Sequence, residues 1–132
     1  MPARVLIFTA SIGAGHDLPA EVLAAALRER DASAEVVDGL AIAGPVARRI
    51  IGVASRVDST AGNLAFNAGY VLVTKVGPLR RVASGALAQL TRRGFQSHLR
   101  SAAADVIVST YPLWSDVLGR MRMSGALQTP VV

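Results

Sequence analysis

The fold is decided by residues 4–30, which read RVLIFTASIGAGHDLPAEVLAAALRER. The continuous apolar run at 5–8 is typical of a strand that is buried on both faces of a parallel sheet. Gly13 and Gly15 then predict a tight turn in which the backbone can approach a ligand without hindrance from a Cβ atom. Apolar residues next recur with helical spacing and predict a helix over 18–30.

This order of elements places His16 at the amino end of a helix that follows the carboxyl end of a strand. In open α/β sheets ligands bind at that edge, and the N–H groups and dipole of the helix favour an anion such as phosphate. The candidate loop comprises Ser11, Gly13, Ala14, Gly15 and His16. From position alone His16 is either a general base or a structural histidine that closes the helix terminus.

The glycine loop does not match the dinucleotide-binding pattern, because the third glycine is missing after Gly15. Asp38 stands near the place where a ribose-binding acid would end a second strand, yet an Asp before a glycine is also ordinary turn chemistry. A nicotinamide or flavin cofactor is therefore not expected. A non-catalytic nucleotide- or phosphate-binding module stays open as an alternative.

The rest of the chain alternates between strand and helix patterns. It predicts strands over 35–38 and 106–110, helices over 46–57, 79–93, 95–103 and 113–124, and a further strand beginning at Val131. Residues 59–77 fit no single pattern. Such alternation predicts a Rossmann-like α/β fold with a doubly wound parallel sheet and right-handed crossovers.

Length and composition exclude several classes of protein. The chain has 132 residues, of which 52% are hydrophobic, and this suffices for one domain with a substantial core. It contains no cysteine, which excludes disulfides, a thiol nucleophile and thiolate metal sites. His16 and His98 are the two histidines, and their wide separation argues against a histidine metal site.

Basic residues are concentrated in one part of the chain. Nine Arg or Lys residues face one acid, Asp58, across 48–100, whereas six acids face two arginines across 17–38. Helices over 46–57 and 79–93 would each carry an apolar stripe beside basic residues, which is typical of helices on an anionic membrane surface. The arginines assigned to this surface are Arg48, Arg49, Arg56, Arg80, Arg81, Arg92 and Arg93. Solvated helix faces are the plain alternative, and nucleic acid is not expected because no nucleic-acid-binding motif is present.

Two stretches of the chain resemble one known family. SIGAGH at 11–16 is similar to the first loop of the lipid-directed glycosyltransferases of the monogalactosyldiacylglycerol synthase and processive diacylglycerol glucosyltransferase family. ADVIVSTYP at 104–112 resembles a later strand and loop of that family, and 125–132 resembles the approach to the next strand. The lipid-II-forming N-acetylglucosaminyltransferase is a more distant relative. Many members have histidine where this chain has Tyr111, so any role of that histidine is not carried over.

The resemblance implies an incomplete N-terminal half of a two-domain GT-B glycosyltransferase. Residues 1–132 would then be a single acceptor-side domain, truncated at its carboxyl end and without the donor-binding domain. The implied reaction moves a sugar, with inversion, from a UDP-sugar to a membrane lipid such as diacylglycerol, in bacterial glycolipid biosynthesis. The implied location is cytoplasmic and peripheral, at the inner face of the plasma membrane. The chain would be inactive alone, as a fragment, a split gene product or the membrane-surface subunit of a two-chain enzyme.

The resemblance also implies roles for single residues. His16 would remove the proton of the acceptor hydroxyl or position the group that does, and residues 13–15 would present N–H groups to the acceptor or to the donor diphosphate. The residues expected to orient the acceptor are Ser109, Thr110, Tyr111 and Pro112. A plain strand-to-helix turn is the alternative for these four residues.

Overall fold

Strands and helices alternate along the chain, as the sequence predicts. The computed structural model describes residues 1–12, 14–61 and 75–132, excluding the side chains of residues 14 and 54–61. The elements in these ranges are β1 (Arg4–Thr9), α1 (Ala14–Arg28), β2 (Ser33–Asp38), α2 (Gly39–Ile42), α3 (Pro45–Ala61), α4 (Gly77–Ala102), β3 (Val106–Ser109) and α5 (Pro112–Met123). The predicted strands are confirmed to within two residues at each end. Most of the ambiguous segment 59–77 lies outside the described residues.

The strands in the described part of the chain form a parallel sheet with β1 between β2 and β3. Arg4 of β1 pairs with Ser33 of β2, and Val5 of β1 pairs with Val106 of β3. The chain therefore leaves β1 to one side and later returns to its other side. At such a reversal of strand order, a crevice forms outside the carboxyl ends of the two strands that flank the reversal.

The sheet continues beyond β3 at the far end of the chain. Val131 forms a parallel bridge with Ile107, and the N–H of Val132 donates to the carbonyl oxygen of Ile107 at 2.9 Å. This bridge is where the sequence predicts a further strand to begin.

Helices cover both faces of the sheet, because successive side chains of a strand point to opposite sides. Val5 and Ile7 of β1 share one apolar core with alanines of α1. Leu6 and Phe8 share the other core with residues of α2, α3, α4 and α5. This mixed α/β arrangement is compatible with a Rossmann-like fold.

Helix α1 begins four residues before its predicted start, at Ala14. Gly15 is therefore part of the helix, and a Cβ atom there would meet nothing described within 4 Å. Asp17 in the first turn interacts favourably with the helix dipole, whereas Pro19 lies inside the helix and has no N–H to donate to the carbonyl oxygen four residues earlier. The prediction that Gly15 forms a tight turn is wrong, and Gly13 lies outside the described residues.

The buried face of α1 agrees only in part with the apolar stripe that the sequence predicts, because Leu23 and Leu27 of that stripe pack against the core but other members do not. The predicted stripe consists of Leu18, Val22, Leu23, Ala26 and Leu27. Leu18 and Val22 are 65% and 60% exposed, whereas Ala20 and Ala24 are fully buried against the sheet. Small side chains at these two positions let the helix backbone lie close to the strands, which a larger residue would prevent.

One long helix, α4, replaces the two helices predicted over 79–93 and 95–103. Gly94 lies inside it rather than between two helices. A Cβ atom on Gly94 would lie 1.9 Å from the carbonyl oxygen of Ile42, so the glycine allows α4 to pack directly on the end of α2.

His98 on α4 carries a buried nitrogen without a partner, which predicts a stabilising substitution. Its Nε2 atom has no hydrogen-bond partner among the described residues, and its ring lies edge-on to Phe8 with centroids 6.2 Å apart. Because His98→Phe removes this unsatisfied atom and keeps an aromatic ring, we expect the free energy of unfolding to rise by about 1 kcal/mol. Urea denaturation at pH 7 measures the change, and a lower midpoint in the variant would contradict the expectation.

Candidate functional site at the carboxyl edge of the sheet

The carboxyl ends of β1 and β3 meet at the reversal of strand order, and α1 starts beside them. Thr110 follows β3 directly, and its N–H donates to the carbonyl oxygen of Phe8 at 3.0 Å. Its hydroxyl lies 3.0 Å from the carbonyl oxygen of His16 and 3.3 Å from that of Phe8. Thr110 therefore connects β1, β3 and the first turn of α1.

His16 is half-buried in the first turn of α1, and its ring contacts the same threonine. The Nδ1 atom lies 3.1 Å from the main-chain oxygen of Thr110, across a sequence separation of 94 residues. The fold thus brings together the two stretches, 11–16 and 104–112, that carry the family resemblance.

Asp17 anchors the same turn of α1 to the end of β1. Its Oδ1 atom accepts a hydrogen bond of 2.7 Å from the hydroxyl of Thr9, which is 3% exposed. This short bond to a buried hydroxyl directs the carboxylate at the strand. The side chains of the neighbouring residues thus have different partners, Thr9 for Asp17 and Thr110 for His16.

Tyr111 packs its ring on His16. The ring centroids are 4.9 Å apart with planes at 72°, and Tyr111 in turn contacts Trp114 at 5.7 Å. Edge-to-face pairs of this kind add about 0.5–1.5 kcal/mol beyond the area that they bury. Burial raises the pKa of the Tyr111 phenol above its usual value of about 10, so the ring is neutral at physiological pH.

The raised pKa of Tyr111 predicts a loss of stability in alkali. The folded chain binds the phenolic proton more tightly than the unfolded chain does. The contribution of this proton to the free energy of unfolding is therefore complete below about pH 10 and is lost as the pH rises further. Tyr111→Phe has no proton to lose and should keep its stability to higher pH. Urea midpoints measured from pH 8 upward test this, and parallel alkaline losses in both proteins would contradict it.

Asp38 performs turn chemistry at the end of β2. Its Oδ1 atom accepts hydrogen bonds from the N–H of Leu40 at 2.9 Å and from the N–H of Ser11 at 3.3 Å. The first bond caps α2, and the second holds the exposed segment between β1 and α1. The sequence leaves Asp38 either as a ribose-binding acid or as a turn residue, and these hydrogen bonds support the role in the turn.

The remaining predicted site residues, Ser109 and Pro112, are the last residue of β3 and the first residue of α5. The hydroxyl of Ser109 donates to the carbonyl oxygen of Tyr111 at 2.9 Å, and Pro112 is the exposed first residue of the helix. The contacts of Ser109 and Pro112 are those of a strand-to-helix turn. Thr110 and Tyr111, which lie between these two residues, both contact His16.

Trp114 and Gly39 lie beneath the site. The sequence favours packing in the core or at a helix start for Trp114 over a role as a sugar platform, and its burial confirms the packing role. Fully buried Trp114 donates its Nε1 proton to the carbonyl oxygen of Thr9 at 3.0 Å. A Cβ atom on Gly39 would lie 2.4 Å from that same Nε1 atom, so glycine is needed for the indole to fit. The sequence does not show this role of Gly39, because Trp114 is distant from it along the chain.

Helices α3 and α4 each expose an apolar stripe. Val46, Ile50 and Val53 form the α3 stripe and are 55%, 57% and 53% exposed, while Ala47 and Ile51 of the same helix are buried. The α4 stripe consists of Leu79, Val82 and Leu90, which are 39%, 69% and 43% exposed. These stripes are exposed, as a surface function requires, and α3 contacts the core through a second apolar face.

Exposed arginines accompany both stripes. The described ones are Arg48, Arg49, Arg80, Arg81, Arg92 and Arg93, and the side chain of Arg56 lies outside the described part. Arg48 and Arg49 also border an open cleft of about 600 Å³ between α2 and α3. Across the described ranges, no helix combines the length and the apolar character needed to cross a bilayer.

Comparisons with protein-family models, with curated proteins and with solved structures give no match for this chain. The site is therefore interpreted from its own geometry.

Proposed function

We propose that the chain is the acceptor-side domain of a GT-B glycosyltransferase that moves a sugar from a UDP-sugar to a membrane lipid such as diacylglycerol. One observation carries the proposal: His16 contacts Thr110 across 94 residues, at the edge of the sheet where α/β proteins bind ligands. This contact brings the two stretches that resemble the family to one edge of the sheet, where the predicted parallel sheet requires both to lie.

The chemistry of this site suits removal of a proton from a hydroxyl. An acceptor hydroxyl must lose its proton as it attacks the anomeric carbon, and a positioned base contributes about 100- to 10,000-fold to the rate. His16 is half-buried and fixed by Thr110 and Tyr111, which would hold the imidazole in place during the reaction. The first-turn N–H groups of α1 would favour an anionic group beside it.

The exposed stripes and arginines suit attachment to an anionic lipid surface. The α3 stripe would insert between headgroups while Arg48 and Arg49 contact phosphates, each contributing about 1 kcal/mol. Peripheral attachment at the cytoplasmic face of the plasma membrane would bring a lipid acceptor to the domain.

Sugar transfer itself tests the proposal. The chain is incubated alone, and together with a donor-binding domain supplied as its natural continuation or partner chain, with diacylglycerol vesicles and radiolabelled UDP-glucose, UDP-galactose or UDP-N-acetylglucosamine. We expect transfer in the assembly and none by the chain alone, because the reaction requires a donor held against the acceptor. Transfer by the chain alone would refute the assignment as an acceptor-side part, and an assembly inert with every donor would refute the function.

Charge reversal tests the membrane surface. We expect the double variant Arg48→Glu and Arg49→Glu to bind phosphatidylglycerol vesicles about 30-fold more weakly, since two arginines each contribute about 1 kcal/mol. The control is Arg4→Glu with Arg30→Glu, which changes the net charge equally at exposed sites away from the α3 stripe. Cosedimentation at low and at high salt measures binding, which screening should weaken. An equal loss of vesicle binding in the two double variants would contradict the proposed membrane surface. Wild-type binding that is as tight to neutral phosphatidylcholine vesicles as to phosphatidylglycerol vesicles would contradict it too.

A further inference from the structure

The hydrogen bonds around His16 specify which nitrogen of its ring carries the proton. We propose that Thr110 is a positioning residue that holds neutral His16 as the Nδ1–H tautomer, so that Nε2 is the nitrogen that accepts a proton. The proposal rests on the proposed function for its catalytic meaning, but the tautomer itself can be measured without any activity.

The first step of the argument is the chemistry of the Nδ1 contact. The partner of Nδ1, 3.1 Å away, is the main-chain carbonyl oxygen of Thr110. A carbonyl oxygen accepts hydrogen bonds and cannot donate them, so the bond requires a proton on Nδ1. A neutral imidazole carries one proton, and Nε2 therefore bears the lone pair.

The second step is that the accepting carbonyl is itself held in place. The N–H of Thr110 donates to Phe8 of β1 at 3.0 Å, which extends the strand pairing by one residue. The hydroxyl of Thr110 carries one proton, and the shorter of its two contacts, 3.0 Å, is to the carbonyl oxygen of His16. Thr110 thus accepts from the ring of His16 and donates to the backbone of the same residue.

The third step concerns the groups that face the ring. Tyr111 lies against it at 4.9 Å and 72°, so a rotation that swings the imidazole away from α5 would lose this contact, and a flip of the ring in its own plane would lose the Nδ1 bond. Asp17, the nearest acid in sequence, is bonded to the Thr9 hydroxyl at 2.7 Å. The described contacts therefore favour one ring orientation and one tautomer.

Nitrogen-15 NMR of the labelled 132-residue chain tests the tautomer directly. The chain has two histidines, so the ring signals that disappear in His16→Gln are those of His16. In the pH range where both rings are neutral, we expect His16 to show a protonated Nδ1 and an unprotonated Nε2. A protonated Nε2, or shifts averaged between the two tautomers, would overturn the proposal.

Two variants of Thr110 separate positioning from a general structural effect. Thr110→Val keeps the main-chain carbonyl that accepts from Nδ1 but removes the hydroxyl that donates to the backbone of His16, so we expect the first turn of α1 to loosen and His16 to show averaged tautomers. Thr110→Ser keeps both groups and should resemble the wild type. Unchanged signals of His98 show that the variant is folded. A single Nδ1–H tautomer in folded Thr110→Val would refute the role of the hydroxyl. If Thr110→Val fails to fold, a mixed tautomer in Thr110→Ser would refute it instead.

Kinetics in the assembly with a donor-binding domain distinguish this inference from the function itself. Thr110→Val should lower kcat about tenfold, the size that loss of one hydrogen bond produces, and Thr110→Ser should restore it with KM unchanged. If the NMR shows the single tautomer but the assembly transfers no sugar, the proposed function is refuted and the inference about the tautomer stands. If the assembly is active but His16 shows averaged tautomers, the inference about the tautomer is refuted and the proposed function stands.

Discussion

Replacing His16 by glutamine in the assembly with a donor-binding domain is expected to lower kcat by about 100- to 10,000-fold, the contribution of a positioned base. The KM for the UDP-sugar should change little, because donor contacts would come chiefly from the other domain. A base that removes a proton stabilises the transition state and not the ground state, so its loss lowers kcat and kcat/KM together. Initial rates at varied donor and acceptor concentrations measure both constants.

Glutamine is the informative substitution at this position because it preserves most of the structural role. Its amide N–H can donate to the carbonyl oxygen of Thr110, as the Nδ1–H of His16 does at 3.1 Å, but the side chain cannot take up a proton at neutral pH. His16→Ala removes both properties and serves as the comparison. A near-normal kcat in His16→Gln combined with a low kcat in His16→Ala would identify His16 as a structural residue and refute its assignment as a base.

The sheet and the edge at which the loops after β1 and β3 meet could be predicted because the strands are set by short-range patterns. The apolar run at 5–8 is buried in the central strand, as its composition predicts. Parallel strands that neighbour each other bring their carboxyl ends together, so the segments after β1 and β3 were expected at one edge. The contact between His16 and Thr110 agrees with that expectation.

The helix faces could not be predicted, because periodicity reveals apolar stripes without showing which one the core selects. Helix α3 has two: Ala47 and Ile51 are buried, while the longer side chains of Val46 and Ile50 are exposed. The continuous helix α4 was missed for a related reason. A glycine in a helical pattern suggests a break, and only the position of Ile42, distant in sequence, shows that Gly94 is required for packing.

Substituting alanine at Gly94 is expected to destabilise the protein by about 3 kcal/mol or more, a value in the severe range for single substitutions. The new Cβ atom would lie 1.9 Å from the carbonyl oxygen of Ile42 and 3.1 Å from its carbon. Both are backbone atoms that cannot rotate away, so α4 must separate from the end of α2. For a domain with about 5–15 kcal/mol of total stability, this is a large share of the whole.

Gly85→Ala in the same helix is the matched control. A Cβ atom there would meet nothing described within 4 Å, so the substitution changes only helix propensity and should stabilise the protein by about 0.5–1 kcal/mol. We therefore expect the urea midpoints of the two variants to move in opposite directions from that of the wild type, down for Gly94→Ala and up for Gly85→Ala. Since α2 is capped by Asp38, which also bonds to Ser11, separation of α4 from α2 would disturb the segment that precedes His16. Equal stability of the two variants would mean that α4 and α2 do not pack as closely as the Gly94 contact requires.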